Sequence, residues 1–214
     1  MTLPVQMMLG VALAAGAGLR AWLPLFVVGL LARLGQIDLN ASFDFLSRTD
    51  ALVVFGVATV LEFLGDKIVA VDHLLDSVGT FVRPVAGTLL ASSMLVSTEP
   101  LTATVVGIVT GGGAALTVHT GKALARIKAT ATLPLHGGTA NAALSLSEDF
   151  IVGAWLWIAM HNPWVAFLIA LVVLALAVWL IVALWRSGRK LLEIMARVKG
   201  WKRQDAPGNS AKSE

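Results

Sequence analysis

The sequence has no cysteine, which excludes disulfides, zinc–thiolate sites and thiol chemistry and leaves the redox compartment unread. Charge is scarce as well: 14% of the 214 residues are Asp, Glu, Lys or Arg, against about 25% in soluble domains. With 57% hydrophobic residues and a mean hydropathy of +0.82, the composition is that of a polytopic membrane protein. No basic residue precedes Arg20. The apolar opening MLGVALAAGAGLRAW therefore lacks the positive n-region of a cleaved signal peptide, despite its Ala15-x-Ala17. Ser-His-Asp order and H-E-x-x-H are missing too, so a conventional enzyme has little support and no cofactor is called for.

What is present is apolar length. Residues 164–185, WVAFLIALVVLALAVWLIVALW, carry no charge and exceed the roughly 20 apolar residues that cross a bilayer core. Trp164 and Trp185 bracket this run about 31 Å apart, one aromatic for each interface. Four other apolar stretches are interrupted: 5–33 by Arg20 and Pro24, 51–65 by the acidic residues after it, 84–97 by its start at Pro84, and 101–118 by Gly111, Gly112 and Gly113. Residues 150–160, ahead of His161-Asn162-Pro163, read as a short helix in a hairpin with the last span. The expected fold class is all-α: a polytopic transmembrane helical bundle of about six membrane segments with broken or re-entrant helices. Residues 129–149, ATATLPLHGGTANAALSLSED, suit either a re-entrant segment or an extramembrane loop.

Eight of the sixteen Lys and Arg lie from Arg186 onward, against Glu193, Asp205 and Glu214. By the positive-inside rule this places the C-terminus in the cytoplasm. The run is read as topogenic rather than as a nucleic-acid patch. The domain expectation is a transmembrane domain over 1–187, a basic cytoplasmic juxtamembrane segment over 188–203 and a disordered polar tail over 204–214. GVALAAGAGL at 10–19 resembles GIVTGGGAAL at 107–116, and each is followed by Leu-Ala-Arg, at 31–33 and 124–126. Two readings stay open: an inverted repeat with halves 5–97 and 101–187, as in many secondary transporters, and chance similarity between Gly and Ala runs.

The chemistry sits where charge interrupts the apolar chain. LEFLGDKIVAVDHLLD at 61–76 brings Glu62, Asp66, Lys67, Asp72, His73 and Asp76 into a membrane-like sequence. On a continuous helix Glu62, Asp66, Val69, His73 and Asp76 fall within about 80°, one stripe, with Lys67 and Asp72 elsewhere. Neighbouring carboxylates raise one another's pKa, which suits a proton relay or cation site. A divalent metal held by Asp72, His73 and Asp76 is the rival reading, and a solvated helix end the bland one. His119, Lys122 and Arg126 form an opposing basic face within about 60°. Arg20 lies mid-segment, with Asp66 and Glu62 as candidate partners, and Glu148 and Asp149 are the other close acidic pair. GAGLRA at 16–21 nominally matches a dinucleotide fingerprint, but Gly10, Ala14 and Gly18 are the small-xxx-small spacing of helix packing. PLHGGTAN at 134–141 lacks the Lys-Ser/Thr of a phosphate loop.

AGLRAWLPLFVVGLLARLG at 17–35, LEFLGDKIVAVDHLLD at 61–76, RPVAGTLLA at 83–91, HTGKALAR at 119–126 and SLSED at 145–149 together resemble a bacterial integral membrane family, domain of unknown function 4126, over roughly residues 8–150. The resemblance marks Glu62, Asp66, Lys67, Asp72, Asp76, Arg83, Pro84, Gly87, His119, Lys122, Arg126, Glu148 and Asp149 as family-pattern positions. The sequence departs from the pattern where Val69 replaces a proline and where ATATLPLHGG replaces an Asn-Thr-Ser-Pro stretch.

The expected ion- or solute-binding set is Arg20, Glu62, Asp66, Lys67, Asp72, Asp76, His119, Lys122, Arg126, Glu148 and Asp149. The functional expectation is a multi-pass cell inner-membrane protein, surrounded by lipid and acting as a homo-oligomer, that passes or exchanges a small ion or solute. The alternatives are a metal-dependent membrane enzyme acting on a lipid headgroup and a structural or accessory subunit.

Overall fold

Pro4, Pro100 and Pro163 each stand in the first turn of a helix, where a missing N–H leaves no helical bond unmade. The structure is a computed structural model that describes residues 1–65, 68–132 and 138–204. Within these, the side chains of 69, 70, 72, 73, 76, 127–132, 138–146, 188 and 190–204 lie outside the description. The chain order is α1 (Leu3–Leu19), α2 (Trp22–Arg33), a 3₁₀ segment (Ala41–Ser47), α3 (Thr49–Gly65), α4 (Val69–Ser93), α5 (Pro100–Val106), a π-wound stretch (Gly107–Gly112), α6 (Gly113–Thr132), α7 (Gly138–His161) and α8 (Pro163–Gln204). There is no strand among the described residues.

α1 is the centre of the bundle. Ala12, Leu13, Ala14 and Ala17 are fully buried, and α4, α6, α7 and α8 all pack on it. The small-xxx-small spacing explains how they come so close. A Cβ on Gly10 would sit 3.0 Å from Ala91 Cα, and one on Gly18 would sit 2.6 Å from the Ala115 carbonyl oxygen. Between them Ala14 packs with Ala91 and Ala114. Trp155 of α7 closes the other side, donating from Nε1 to the Ala12 carbonyl at 2.8 Å.

The π-wound stretch lies against α4 at backbone contact distance: a Cβ on Gly111 would stand 2.3 Å from the Gly87 carbonyl oxygen. Only glycine admits this approach. The similar runs 10–19 and 107–116 therefore both meet α4 at Ala91. Their Leu-Ala-Arg triplets are placed differently, since Leu31-Ala32-Arg33 lies on a separate helix, α2, whereas Leu124-Ala125-Arg126 continues α6.

α2 ends in a glycine stop. Gly35 has φ +69°, its N–H bonds the Ala32 carbonyl, and Gln36 N–H bonds the Leu31 carbonyl, the paired bonds of a Schellman cap. Asn40 then ties the connection to the end of α4. Its Nδ2 donates to the Leu95 and Thr98 carbonyls, each at 2.8 Å, and its Oδ1 accepts from Ser42 N–H.

Four sequence expectations are corrected. Residues 61–76 are not one helix: Ile68 is extended, at φ −113° and ψ 110°, so Glu62 belongs to α3 while Asp72, His73 and Asp76 belong to α4. Gly65 permits the corner, because a Cβ there would stand 2.6 Å from the Leu75 side chain and 2.9 Å from that of Val71. Pro84 lies inside α4 rather than at its start. Residues 129–132 complete α6 and 138–149 open α7, so helix takes the place of the loop or re-entrant segment, and α7 is longer than the expected 150–160. The basic segment 188–203 continues α8 without a break.

Two helical runs are long and apolar enough to cross a membrane, Pro100–Arg126 with mean hydropathy 1.7 and Pro163–Ser187 with 3.2. α8 as a whole has 42 residues, about 63 Å of helix, roughly twice a bilayer core. α1 and α2 are apolar but shorter.

Candidate functional site

Charge and apolar surface are distributed inside out. Val53, Val57, Leu61 and Leu64 of α3, Val105 and Val109 along α5 and the π stretch, and Leu168, Val172, Leu176 and Trp179 of α8 are exposed. Arg20, Glu62, Arg83 and His119 are 2%, 6%, 4% and 5% exposed. Soluble monomers rarely show contiguous apolar patches beyond a few hundred Å², and ionisable groups in their interiors are rare unless paired.

The pairing runs through two groups of side chains. In the first, Arg83 of α4 links α6 to α3. Its Nη1 bonds His119 Nδ1, and its Nη2 lies 3.8 Å from Glu62 Oε1. The other ring nitrogen of His119, Nε2, is 3.3 Å from Thr80 Oγ1. In the second group, Glu148 of α7 takes two cations of α6: Lys122 Nζ at 2.6 Å and Arg126 Nη2 at 3.1 Å. Lys122 also donates to the Leu19 carbonyl at 3.3 Å. That carbonyl is at the last residue of α1, one of the four a helix end leaves without an internal partner and the negative end of its dipole.

Arg20 sits in the break between α1 and α2. Its backbone is extended, φ −137° and ψ 115°, and its Nη2 lies 2.8 Å from Asp149 Oδ1. Asp149, beside Glu148 on α7, is thus the described partner of Arg20, where the sequence pattern offers Asp66 or Glu62. Arg20, Glu62 and Asp149, with Thr59, Leu23, Val60 and Phe63, line one cavity of about 210 Å³. Two carboxylates and one guanidinium give its wall an excess of one negative charge.

Of the expected set, the structure brings together Arg20, Glu62, His119, Lys122, Arg126, Glu148 and Asp149. Asp66 and Lys67 lie outside the described residues, as do the side chains of Asp72, His73 and Asp76. The alternative metal set of Asp72, His73 and Asp76 therefore falls outside the description, and no group of three or more possible metal ligands occurs among the described residues. The basic trio does not act as one face. His119 turns to Arg83, whereas Lys122 and Arg126 turn to Glu148. Arg83 is absent from the expected ion-binding set, although it is a family-pattern position. The rule that an ionisable residue in an apolar segment is a functional candidate, applied to TFVRPVAG at 80–87, finds it.

A family model described as a domain of unknown function (DUF4126) matches residues 7–183. The chain belongs to this family. The match runs beyond the motifs at 17–149 into α8, so the family unit includes the α7–α8 pair and the apolar part of the last helix. No curated protein and no solved structure matches the chain.

Proposed function

We propose that the chain is a multi-pass inner-membrane protein that passes or exchanges a small ion, most directly a cation, at the cavity formed by Arg20, Glu62 and Asp149. The observation that carries this reading is the inversion of polarity: apolar side chains cover the outside, and four nearly buried ionisable residues lie within. In lipid the outside is satisfied, and intramembrane charges ordinarily mark ion and substrate paths. The broken α1–α2 helix supports the same reading, since non-helical backbone at membrane depth is tolerated where it is buried in protein or lines a cavity, and transporters use such breaks as ion sites.

In this proposal residues 1–187 form the membrane domain, with α1–α2 and α3 to α8 supplying about six membrane segments. The basic half of α8 extends into the cytoplasm, in line with the Lys and Arg excess. A second reading, a structural subunit whose ion pairs specify helix pairing, is favoured by the closed Lys122–Glu148–Arg126 group.

The test is flux in proteoliposomes of the full chain, with sodium or potassium gradients imposed in turn. Cation flux above that of empty liposomes, lost in Glu62→Gln while the variant remains folded, is the expected result. Flux equal to that of empty liposomes for both ions would end the transport reading and leave the structural one.

A further inference from the structure

The Arg83–His119 contact fixes the protonation state of the imidazole. A guanidinium carries five donors and no acceptor, so the His119 Nδ1 that it touches must present a lone pair. His119 is then neutral, with its proton on Nε2, directed at Thr80 Oγ1 3.3 Å away. A proton added to Nδ1 would remove the acceptor and set an imidazolium against a guanidinium. Arg83 has an alternative within reach. Its Nη2 stands 3.8 Å from Glu62 Oε1, and a shift of about 1 Å would make this a charge-assisted hydrogen bond of ordinary length.

Glu62 also forms part of the cavity wall with Arg20 and Asp149. The closer Arg83 stands to Glu62, the weaker the negative potential that the wall offers to a cation. We infer that His119 is the proton-carrying group of this site, and that a proton on His119 and a cation in the cavity exclude one another through movement of Arg83 between His119 and Glu62. This rests on the cation reading above and names its counter-species. The protein would exchange protons for cations, with binding free energies linked reciprocally.

The groups around His119 come from several helices. Arg83 of α4 touches it, with Glu62 of α3 behind. Lys122 lies one turn on along α6, held by Glu148 of α7. Arg20 at the α1–α2 break faces Asp149. α4 also carries Asp72, His73 and Asp76, whose side chains are outside the description; Asp76 is one turn before Thr80. A proton on any of these carboxylates is the competing explanation for pH-dependent cation binding, and removal of the imidazole separates the two.

The experiment uses the full chain in detergent, titrated with sodium and with potassium between about pH 5 and about pH 8, the range over which histidine changes charge. Thermal stabilisation reports binding. For the wild type, the apparent dissociation constant is expected to rise about tenfold per pH unit once His119 is protonated. Cation addition to a weakly buffered sample in that range should release about one proton per cation bound. In His119→Gln, whose amide oxygen still accepts from Arg83, binding should persist, lose its pH dependence and release no proton; His119→Asn is the second variant should the first misfold.

Cation binding with no pH dependence in the wild type would overturn the coupling and leave the cation reading intact. Unchanged pH dependence and proton release in the variants would place the proton on a carboxylate and overturn the role of His119. No binding of either ion at any pH would overturn both readings.

Discussion

Lys122 Nζ lies 2.6 Å from Glu148 Oε2 and 3.3 Å from the Leu19 carbonyl oxygen, so one ammonium joins α6 to α7 and to the end of α1. Its side chain is 9% exposed. Removing one partner of such a pair leaves an uncompensated buried charge, whereas replacing both with apolar groups is often neutral or stabilising.

Glu148→Gln should therefore destabilise the protein by about 3 kcal/mol, measured by unfolding in detergent. The double variant Lys122→Met, Glu148→Met should recover most of this loss, with Arg126, 28% exposed, reaching solvent or headgroups. Additive losses in the double variant would show that the pair does not act as a unit.

The glycines divide by what surrounds them. Gly111→Val should fail to give monodisperse protein, because even its Cβ would lie 2.3 Å from the Gly87 carbonyl oxygen. Gly113 and Gly153 have nothing within 4 Å of a built Cβ and stand in α6 and α7. Alanine at either should raise stability by about 0.5 kcal/mol through a less free unfolded chain. A melting temperature lowered by Gly113→Ala would show that this surface is covered.

Asn40→Ala removes the two donor bonds to the Leu95 and Thr98 carbonyls and the acceptor bond from Ser42. Asn40 is 2% exposed, so water cannot easily replace these partners. The expected loss is about 2 kcal/mol, with proteolysis near residues 95–98 rising as the end of α4 loosens. Wild-type stability and protease resistance would show that the connection is held by packing alone.

Trp155→Phe keeps most of the ring and removes the Nε1 donor to the Ala12 carbonyl. A loss of about 1 kcal/mol is expected. A larger loss would mean that the indole shape against Gly16, where a Cβ would stand 3.1 Å from Trp155 Cδ1, matters more than the bond.

Much of the scaffold is legible in the sequence because it depends on local chemistry. Apolar composition and the uncharged run 164–185 point to membrane-length helix. Gly10, Ala14 and Gly18 mark the close-packed face of α1, and Arg20 marks the break that ends it. The corner at 66–68 is not legible because nothing local demands it: Val69 replaces the family's proline, and the turn is made possible by Gly65 meeting Val71 and Leu75 across α4. Sequence pattern underestimates the length of α7 because the polar run SLSED reads as an interruption, whereas Glu148 and Asp149 are paired with cations of other elements.

The sequence by itself determined that charged residues would have to be housed among apolar helices. Only the tertiary structure decided which charges meet. Arg20 joins Asp149, Arg83 joins His119 and Glu62, and Lys122 and Arg126 share Glu148. The reason is physical. α1 is apolar or small on nearly every side, so it carries no polar stripe to orient its neighbours. Their rotation and depth are fixed by backbone contact at Gly18, Gly87 and Gly111, and the charges pair according to where that contact leaves them.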